Sequence, residues 1–254
     1  METFLSTDPS LPGPYRNCSS LPSTILIRRF TNLDLDNNEL ANKVMTMCQM
    51  DMSANDLSHN WEHIQHVVAN ADMILEAELK KNPDWAKNLD PLTILLGCVI
   101  HDYADHKYYP HLDQDGCENI VRQMLLHCGA DPAYANKLVT IASHVSFSHQ
   151  EKNEEKVAAA LKSIPELAVV MDADRLECIG SRGLGRIFAY HGAMEEMRMQ
   201  SMQRCMHYFW QKLWKLPAKM NTITGRKVAD QEWAWMEEVM EKWIGETARL
   251  KRVL

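Results

Sequence analysis

Apolar residues recur at intervals of three and four along most of the chain, which is the spacing of an α-helix that packs by one face. One such stripe covers residues 40–48 and another covers residues 64–75. Asn60 stands just before the second stripe, where its side chain can cap the first turn of a helix. Pro91 suits the first turn of a helix that continues through Ile100. Further helices are predicted near residues 115–128, 132–144, 151–163, 165–180, 186–213 and 222–248.

The same pattern predicts an all-α protein with one domain. No run of alternating apolar and polar residues is long enough for a convincing strand, and the chain contains no internal repeat. Short connections between the predicted helices place residues 34–254 in a single helical domain. Residues 1–33 contain four prolines and many Ser, Thr and Asn residues, so we expect an irregular N-terminal extension there.

Composition and charge narrow the range of partners. Hydrophobic residues make up 46% of the 254 residues, and the net charge is −7. This charge argues against a nucleic acid polymer or a membrane surface as partner, because both are usually bound by a basic face. No apolar stretch reaches the roughly 18 residues needed to span a membrane, and the N-terminus does not look like a secretory signal. We expect a small-molecule substrate, and the sequence leaves a homodimer open.

Cysteine usage bears on the compartment. The chain has seven cysteines at wide spacings and no CxxC motif. Most of them fall within helical patterns, where a free thiol behaves as a small apolar group. We therefore expect reduced thiols in a cytoplasmic protein rather than a disulfide framework.

An apolar run ends in a group of titratable residues in the segment ILLGCVIHDYADHK, residues 94–107. His101 and Asp102 close the apolar part and would stand at a rigid helix end. His63 and Asp174 lie in two other predicted helices, so ligands from three places could meet. Two imidazoles and two carboxylates suit Mn, Fe, Co, Ni or Zn better than Ca. The spacing alone is weak evidence, because an HD dipeptide is common and a buried histidine is usually a hydrogen-bonded core residue.

Neighbouring residues compete for two of these ligand positions. His59 and His66 lie four residues before and three residues after His63, so all three can share one helical face. Asp172 precedes Asp174 by two residues and could orient a ligand histidine or cap a turn instead. The residues by themselves leave both choices open.

Several longer motifs resemble one protein family. In chain order they are SHNWEHIQHV (58–67), CVIHDYADHK (98–107), SFSHQ (146–150), VVMDADRLECIGSRGLGRIFAY (169–190) and HYFWQKLWKLPAKMNTITGRKVA (207–229). Over about residues 55–245 the chain resembles the HD superfamily of metal-dependent phosphohydrolases. Within it, the likeness is to a small bacterial-type subgroup that includes nucleotide pyrophosphohydrolases. The resemblance implies an all-α HD domain.

The resemblance also implies a set of roles at the site. It assigns His63, His101, Asp102 and Asp174 as the ligands of one divalent transition metal. It places an acid near the metal-bound water, so Asp105 is the candidate that positions or deprotonates this water or protonates the leaving group. The alternative is that Asp105 is a solvated carboxylate paired with a nearby lysine.

Basic side chains near the motifs are candidates for substrate contact. Lys107 could contact a phosphate, and the alternative is an ordinary surface lysine. Arg175, Arg182 and Arg186 supply forked donors beside a glycine-rich segment, or else they pair with neighbouring carboxylates. His59 is expected at the mouth of the site.

Departures from the subgroup bear on the substrate and on the number of metal ions. Asn60 and His66 stand where the subgroup usually has Asp and Arg, and segment 189–207 is shorter. The subgroup motif His-Ser-Phe-Ser reads Val-Ser-Phe-Ser here, with His144 one place earlier. We therefore expect one metal rather than two, and leave open whether His127 or His144 joins the site.

Together these features predict a metal-dependent hydrolase that cleaves a phosphate ester or anhydride of a small molecule, with nucleotides among the candidates. The alternative is an enzyme on the same scaffold that acts on a non-phosphate molecule as a hydrolase, a lyase or, with two irons, an oxygenase. A non-catalytic ligand sensor is a third hypothesis, and the intact ligand set speaks against it.

Overall fold

The computed structural model describes residues 30–31, 33–104, 109, 111–194 and 201–249. Within these residues the chain forms helices and no strand, which confirms the predicted all-α class. The α-helices are α1 (Glu39–Met52), α2 (Trp61–Lys81), α3 (Pro83–Ala86), α4 (Pro91–Ile100), α5 (Gln114–His127), α6 (Pro132–Val145), α7 (Phe147–Lys152), α8 (Glu154–Ser163), α9 (Glu166–Leu176), α10 (Gly180–Ala193), α11 (Met202–Gln211) and α12 (Ile223–Thr247). Two 3-10 helices, Leu213–Lys215 and Pro217–Lys219, connect α11 to α12. Among the described helices, none combines the length and the apolar character needed to cross a membrane.

Helix α9 forms the centre of the bundle. Helices α2, α4, α6, α8 and α12 pack around it, and ten of its eleven residues are buried. The exception is Asp174, which is partly exposed. Asp174 therefore lies on the side of α9 that faces away from the core.

Helix α4 carries the apolar run into the core. Asp90 caps its first turn through two main-chain amides, and eight of its ten residues are buried. Gly97 allows a close approach to two neighbouring helices, because a Cβ at this position would lie 3.0 Å from methyl groups of Ile141 and Val170. The run is apolar because it crosses the core, and it delivers His101, the C-cap residue, to the far side.

Residues just before the predicted domain boundary after residue 33 contact the helical domain. Phe30 is fully buried in the core. The main-chain N–H and the hydroxyl of Thr31 both donate to Asp72 Oδ1 on α2, and Leu33 packs against the core. These residues therefore pack on the domain, and residues 1–29 and 32 of the predicted extension lie outside the described residues.

Two predicted helices are divided in the structure. The stretch predicted over 151–163 forms the end of α7 and all of α8, and Asn153 separates them with φ −136° and ψ 44°, which is not helical. The stretch predicted over 186–213 forms parts of α10 and α11, and residues 195–200 between them lie outside the described residues. Neither Pro nor Gly stands at the Asn153 break, which is why the pattern did not reveal it.

The glycine-rich segment GSRGLG forms the first turns of α10. Gly180 has a φ of +70°, a conformation that favours glycine. A Cβ at Gly183 would lie 2.3 Å from the main-chain carbonyl carbon of Cys178. The two glycines therefore allow α10 to turn tightly away from the end of α9 and to stay in contact with it.

Candidate metal centre and substrate cavity

Two histidines from different helices meet at one point. His63 lies in the first turn of α2, where Asn60 caps the helix by accepting a hydrogen bond from the His63 main-chain N–H at 3.3 Å. His101 caps the C-terminus of α4. The two Nε2 atoms lie 3.3 Å apart, and both residues are buried.

Two carboxylates complete the cluster. Asp102 Oδ2 lies 3.3 Å from His63 Nε2 and 3.4 Å from His101 Nε2. Asp174 Oδ1 lies 3.6 Å from each of the same nitrogens. His63, His101 and Asp174 form a group whose candidate ligand atoms all lie within 4.8 Å of one another. The four side chains that the sequence assigns as ligands therefore converge from α2, the end of α4 and α9.

These close contacts shift the pKa values of the cluster. Burial alone would lower the pKa of His101, but the carboxylates of Asp102 and Asp174 hold it well above its usual value. Burial would raise the pKa of Asp102 and of Asp174, but His101 holds both below the usual value. The carboxylates are thus kept ionised by adjacent positive charge, which a metal cation can supply in place of an imidazole proton.

The second ring nitrogen differs between the two histidines. His101 Nδ1 lies 2.7 Å from the main-chain oxygen of Cys98, so it can donate there and leave Nε2 free of a proton. His63 Nδ1 is buried and has no hydrogen-bond partner among the described residues. Glu177 Oε2 lies 3.8 Å from it. The pKa of Glu177 is lowered: burial acts to raise it, but the contacts with His63 and Arg182 outweigh burial.

The residues present fit a divalent transition metal. Two imidazole nitrogens and two carboxylate oxygens form a mixed donor set of the kind that such ions prefer. Ligand atoms about 2.1 Å from one ion are about 3.0–3.4 Å from each other when neighbouring in tetrahedral or octahedral geometry. The separations of 3.3–3.6 Å in the cluster are of this size.

The cluster opens into a cavity of about 1010 Å³. Helices α5, α6, α7 and α10 each contribute several residues to its wall, and His101, Asp102 and Asp174 line it from the side of the cluster. Aromatic surface comes from Tyr103, Phe147, Tyr190 and Tyr208.

Of the residues predicted for substrate contact and catalysis, His59 lines this cavity. Its Nδ1 lies 2.6 Å from the hydroxyl of Ser58, and its ring centroid lies 5.7 Å from that of Tyr190. Asp105 and Lys107 lie outside the described residues, and their assigned roles stay predictions.

Arg175 also lines the cavity, but its guanidinium is engaged by protein atoms. The side chain is 1% exposed. Nη1 donates to the main-chain oxygen of Lys219 at 2.6 Å, and Nη2 donates to Gln150 Oε1 at 2.8 Å. The guanidinium also lies over the ring of Phe147, 5.7 Å from its centroid. These contacts hold the 3-10 segment before α12 onto α7 and α9.

The two remaining arginines lie on α10 and differ in position. Arg186 lines the cavity, and it donates from Nε to the main-chain oxygen of Ser58 at 2.8 Å and from Nη1 to that of Glu177 at 3.1 Å. Arg182 is not among the lining residues. Its Nε lies 3.2 Å from Glu177 Oε2, and its Nη atoms lie 3.4 Å from Glu62 Oε1. For Arg182 the structure favours the alternative of pairing with neighbouring carboxylates.

The competing aspartate caps a turn. Asp172 is fully buried. It accepts hydrogen bonds of 2.7–2.9 Å from the main-chain and side-chain donors of Asn221 and Thr222. Its carboxylate therefore anchors the start of α12 on α9, and this confirms the turn-capping alternative.

The other histidines named from the sequence are not part of the group of candidate ligands. His66 and His127 are not among the residues that line the cavity, and His127 is exposed at the end of α5. His144 Nδ1 lies 2.8 Å from the main-chain oxygen of Thr140. Its ring centroid is 5.1 Å from that of His149, which does line the cavity.

Sequence reasoning did not assign two residues that contact this region. Glu177 approaches His63, and its position three residues after Asp174, near the end of the same helix, is a signal that could have identified it. Lys212 lines the cavity, where its Nζ lies 2.6 Å from Ser148 Oγ and 5.6 Å from the centroid of the Tyr208 ring. Ser148 is 64 residues away in the chain, so only the tertiary structure reveals this contact.

Comparisons with known proteins identify relatives of the chain. No family model matches it. The uncharacterized protein YpgQ of Bacillus subtilis (strain 168) is 28% identical over 196 residues, which cover 77% of this chain and 88% of the relative. The crystal structure of that protein in complex with ADP has 24% identity and a TM-score of 0.57, and the match covers 82% of this chain and 94% of the other.

Solved structures from two further organisms share the fold. A protein from Lactobacillus plantarum matches with a TM-score of 0.65 and 22% identity, over 84% of this chain and 98% of its own. An HD-superfamily hydrolase from Bacillus thuringiensis matches with a TM-score of 0.57 and 22% identity, over 82% of this chain and 96% of its own. The chain therefore shares its helical fold with these proteins, one of which is an HD-superfamily hydrolase, and it combines that fold with converging histidines and aspartates.

Proposed function

We propose that the protein is a metal-dependent hydrolase that cleaves a phosphate ester or anhydride bond of a small molecule, with nucleotides among its substrates. The observation that carries this proposal is the convergence of His63, His101, Asp102 and Asp174 at the wall of a large cavity. A metal bound there would face whatever the cavity holds.

The four converging side chains would hold the metal. When bound, a divalent ion supplies Lewis acidity toward a phosphoryl oxygen and makes a coordinated water more acidic. The contact of His101 Nδ1 with the Cys98 carbonyl keeps the lone pair of the ring on Nε2, where it is needed for coordination. Asp105 remains our candidate for the group that orients the attacking water or protonates the leaving group.

The size and lining of the cavity support a nucleotide-sized substrate. Its volume of about 1010 Å³ lies at the upper end of the roughly 300–1,000 Å³ that is usual for ligand sites. Phe147, Tyr190 and Tyr208 offer aromatic faces for a planar base. The similar Bacillus subtilis protein has been crystallised with ADP. The net charge of −7 favours a small molecule over a nucleic acid polymer.

A second candidate is an HD-fold enzyme that acts on a non-phosphate molecule. It is favoured by the contacts of Arg175 and Arg186, whose guanidinium groups donate to protein oxygens at the cavity wall. Asp113 and Glu118 also line the cavity and add negative charge, which disfavours a polyphosphate. Lys212 offers an ammonium group to a phosphate, and this supports the main proposal.

A screen for phosphate release separates the two candidates. We would measure hydrolysis of nucleotides and simple phosphate esters with Mn, Fe, Co, Ni, Zn and Mg, together with the metal content of the purified protein. We expect release with at least one metal, and loss of that release in His63→Ala and Asp174→Ala. His127→Ala is a matched control, because this histidine is exposed and is not among the residues that line the cavity. Metal binding without release from any phosphate compound would favour the second candidate.

A further inference from the structure

We propose that Glu177 is a positioning residue for the metal centre: its carboxylate accepts the Nδ1 proton of His63 and thereby fixes His63 Nε2 as the metal-binding atom. Arg182 holds Glu177 in place for this task. The inference deepens the proposed function and rests on the metal site described above.

The first support is the state of the His63 ring. His63 is 1% exposed, and its Nδ1 has no hydrogen-bond partner among the described residues. A neutral imidazole carries its proton on one nitrogen only, so a ring that binds metal through Nε2 must carry the proton on Nδ1. A buried N–H without an acceptor is costly, and the carboxylate oxygen of Glu177 lies 3.8 Å away, so a small ring or side-chain rotation closes the bond.

The second support is the contrast with His101. In that residue the same nitrogen already has an acceptor, the main-chain oxygen of Cys98 at 2.7 Å. The two histidines place Nε2 atoms at the same point, so both need the same tautomer. For His101, a main-chain carbonyl accepts the Nδ1 proton. For His63, the group in a position to accept it is a side-chain carboxylate.

The third support is the way in which Glu177 is held. Glu177 is 3% exposed and caps the end of α9. Arg182 approaches its Oε2 at 3.2 Å, and Arg186 donates to its main-chain oxygen at 3.1 Å. Two residues of α10 therefore fix both the backbone and the carboxylate of this residue.

The chain of contacts ends at the protein surface. Arg182 is 39% exposed, and its outer nitrogens lie 3.4 Å from Glu62 Oε1, which is itself half exposed. Arg182 is thus a bridge between a surface carboxylate and a buried one, and it lies outside the cavity lining. This arrangement gives it a supporting role in place of the substrate contact that the sequence suggested.

The test measures metal affinity and the His63 tautomer rather than activity alone. In Glu177→Met the oxygens are removed and the length of the side chain is kept. We expect Mn²⁺ and Zn²⁺ to bind about 10–100-fold more weakly in calorimetric titrations, as is typical when a partner of a ligand histidine is lost. Glu177→Gln keeps one oxygen and should restore part of the affinity. Glu237→Met, an exposed residue on α12, is the matched control and should bind metal like the wild type.

Nitrogen-15 spectra of the metal-free, histidine-labelled protein provide the second readout, and they are recorded over a pH series so that the neutral form of the His63 ring is observed directly. The His63 signal is identified by its loss in His63→Asn. We expect the proton on Nδ1 in the wild type and a shift toward the Nε2-protonated form in Glu177→Met. If that variant does not fold, Arg182→Met leaves Glu177 in place and should show a smaller change in the same direction.

The outcomes separate this inference from the proposed function. Wild-type metal affinity and an unchanged tautomer in Glu177→Met would overturn the inference and leave the metal site intact. A wild type that binds none of the metals would overturn the proposed function. In that case the tautomer of His63 still decides the inference, which is wrong if the wild-type ring carries its proton on Nε2.

Discussion

Replacing Asp172 by asparagine tests how strongly α9 is tied to the start of α12. The Asp172 carboxylate is fully buried and accepts hydrogen bonds from four donors, two from Asn221 and two from Thr222. Asparagine has nearly the same shape but only one acceptor oxygen. Its NH₂ group must therefore face two of these donors.

The expected magnitude follows from these bonds. A hydrogen bond to a charged group contributes about 1.5–3 kcal/mol net, so two lost bonds amount to about 3–6 kcal/mol. Two effects reduce this loss. Burial raises the pKa of Asp172, so the ionised form carries a desolvation cost that the amide avoids. The Thr222 hydroxyl can also rotate and accept a bond from the new amide. We therefore expect the free energy of unfolding to fall by about 2–4 kcal/mol.

Urea unfolding followed by circular dichroism measures this loss. The midpoint should fall and the slope should stay unchanged, since the packed surface is the same. In a protein of this size the thermal midpoint should drop by about 5–15 °C. Asp230→Asn, which changes an exposed aspartate on α12, is the control and should change the stability by less than about 0.5 kcal/mol. A loss in Asp172→Asn no larger than that of the control would refute the reasoning.

Three further predictions concern packing, thiol burial and metal binding. Gly225→Ala should destabilise the protein in urea unfolding, because the new Cβ would lie 2.4 Å from Asp172 Oδ2. The new Cβ of Gly245→Ala, on the same helix, meets no atom within 4 Å, so this substitution should stabilise the protein by up to about 1 kcal/mol. A result of the same sign for both would count against the role of close packing. The Cys98 thiol is fully buried and burial raises its pKa, so mass spectrometry after iodoacetamide treatment should find it unmodified in the native protein and modified after unfolding. Added Mn²⁺ or Zn²⁺ should raise the free energy of unfolding by about 2.7 kcal/mol at a hundredfold excess over Kd, and His63→Ala should abolish this gain; an equal gain in the variant would place the metal elsewhere.

Local signals in the sequence predicted the helices that carry the cluster. The Asn60 cap and the apolar stripe define α2, and Pro91 with the apolar run defines α4. These signals act over a few residues, so a linear pattern can reveal them. The convergence of His63 with Asp174 was inferred from a family resemblance, because no local rule links residues on separate helices.

The contacts of the arginines could not be predicted in the same way. Arg175 donates to Lys219 and Gln150, which are 44 and 25 residues away. Whether a guanidinium faces a ligand or a carbonyl depends on how the helices around it pack. The pattern of apolar and polar residues does not reveal this packing. The burial of Phe30 was missed for a related reason, since a proline-rich and polar neighbourhood conceals a single residue that docks into the core.

The position of Asp174 on the central helix has a consequence for evolution and for dynamics. The main-chain amides of α9 are enclosed by five other helices, so their exchange with deuterium should require opening of the whole bundle rather than local fraying. The helix that presents Asp174 to the cavity should therefore unfold only when the whole fold unfolds. Substitution of the aliphatic residues around α9 is then limited by the metal site as well as by stability. Any change that tilts this helix also displaces the Asp174 carboxylate.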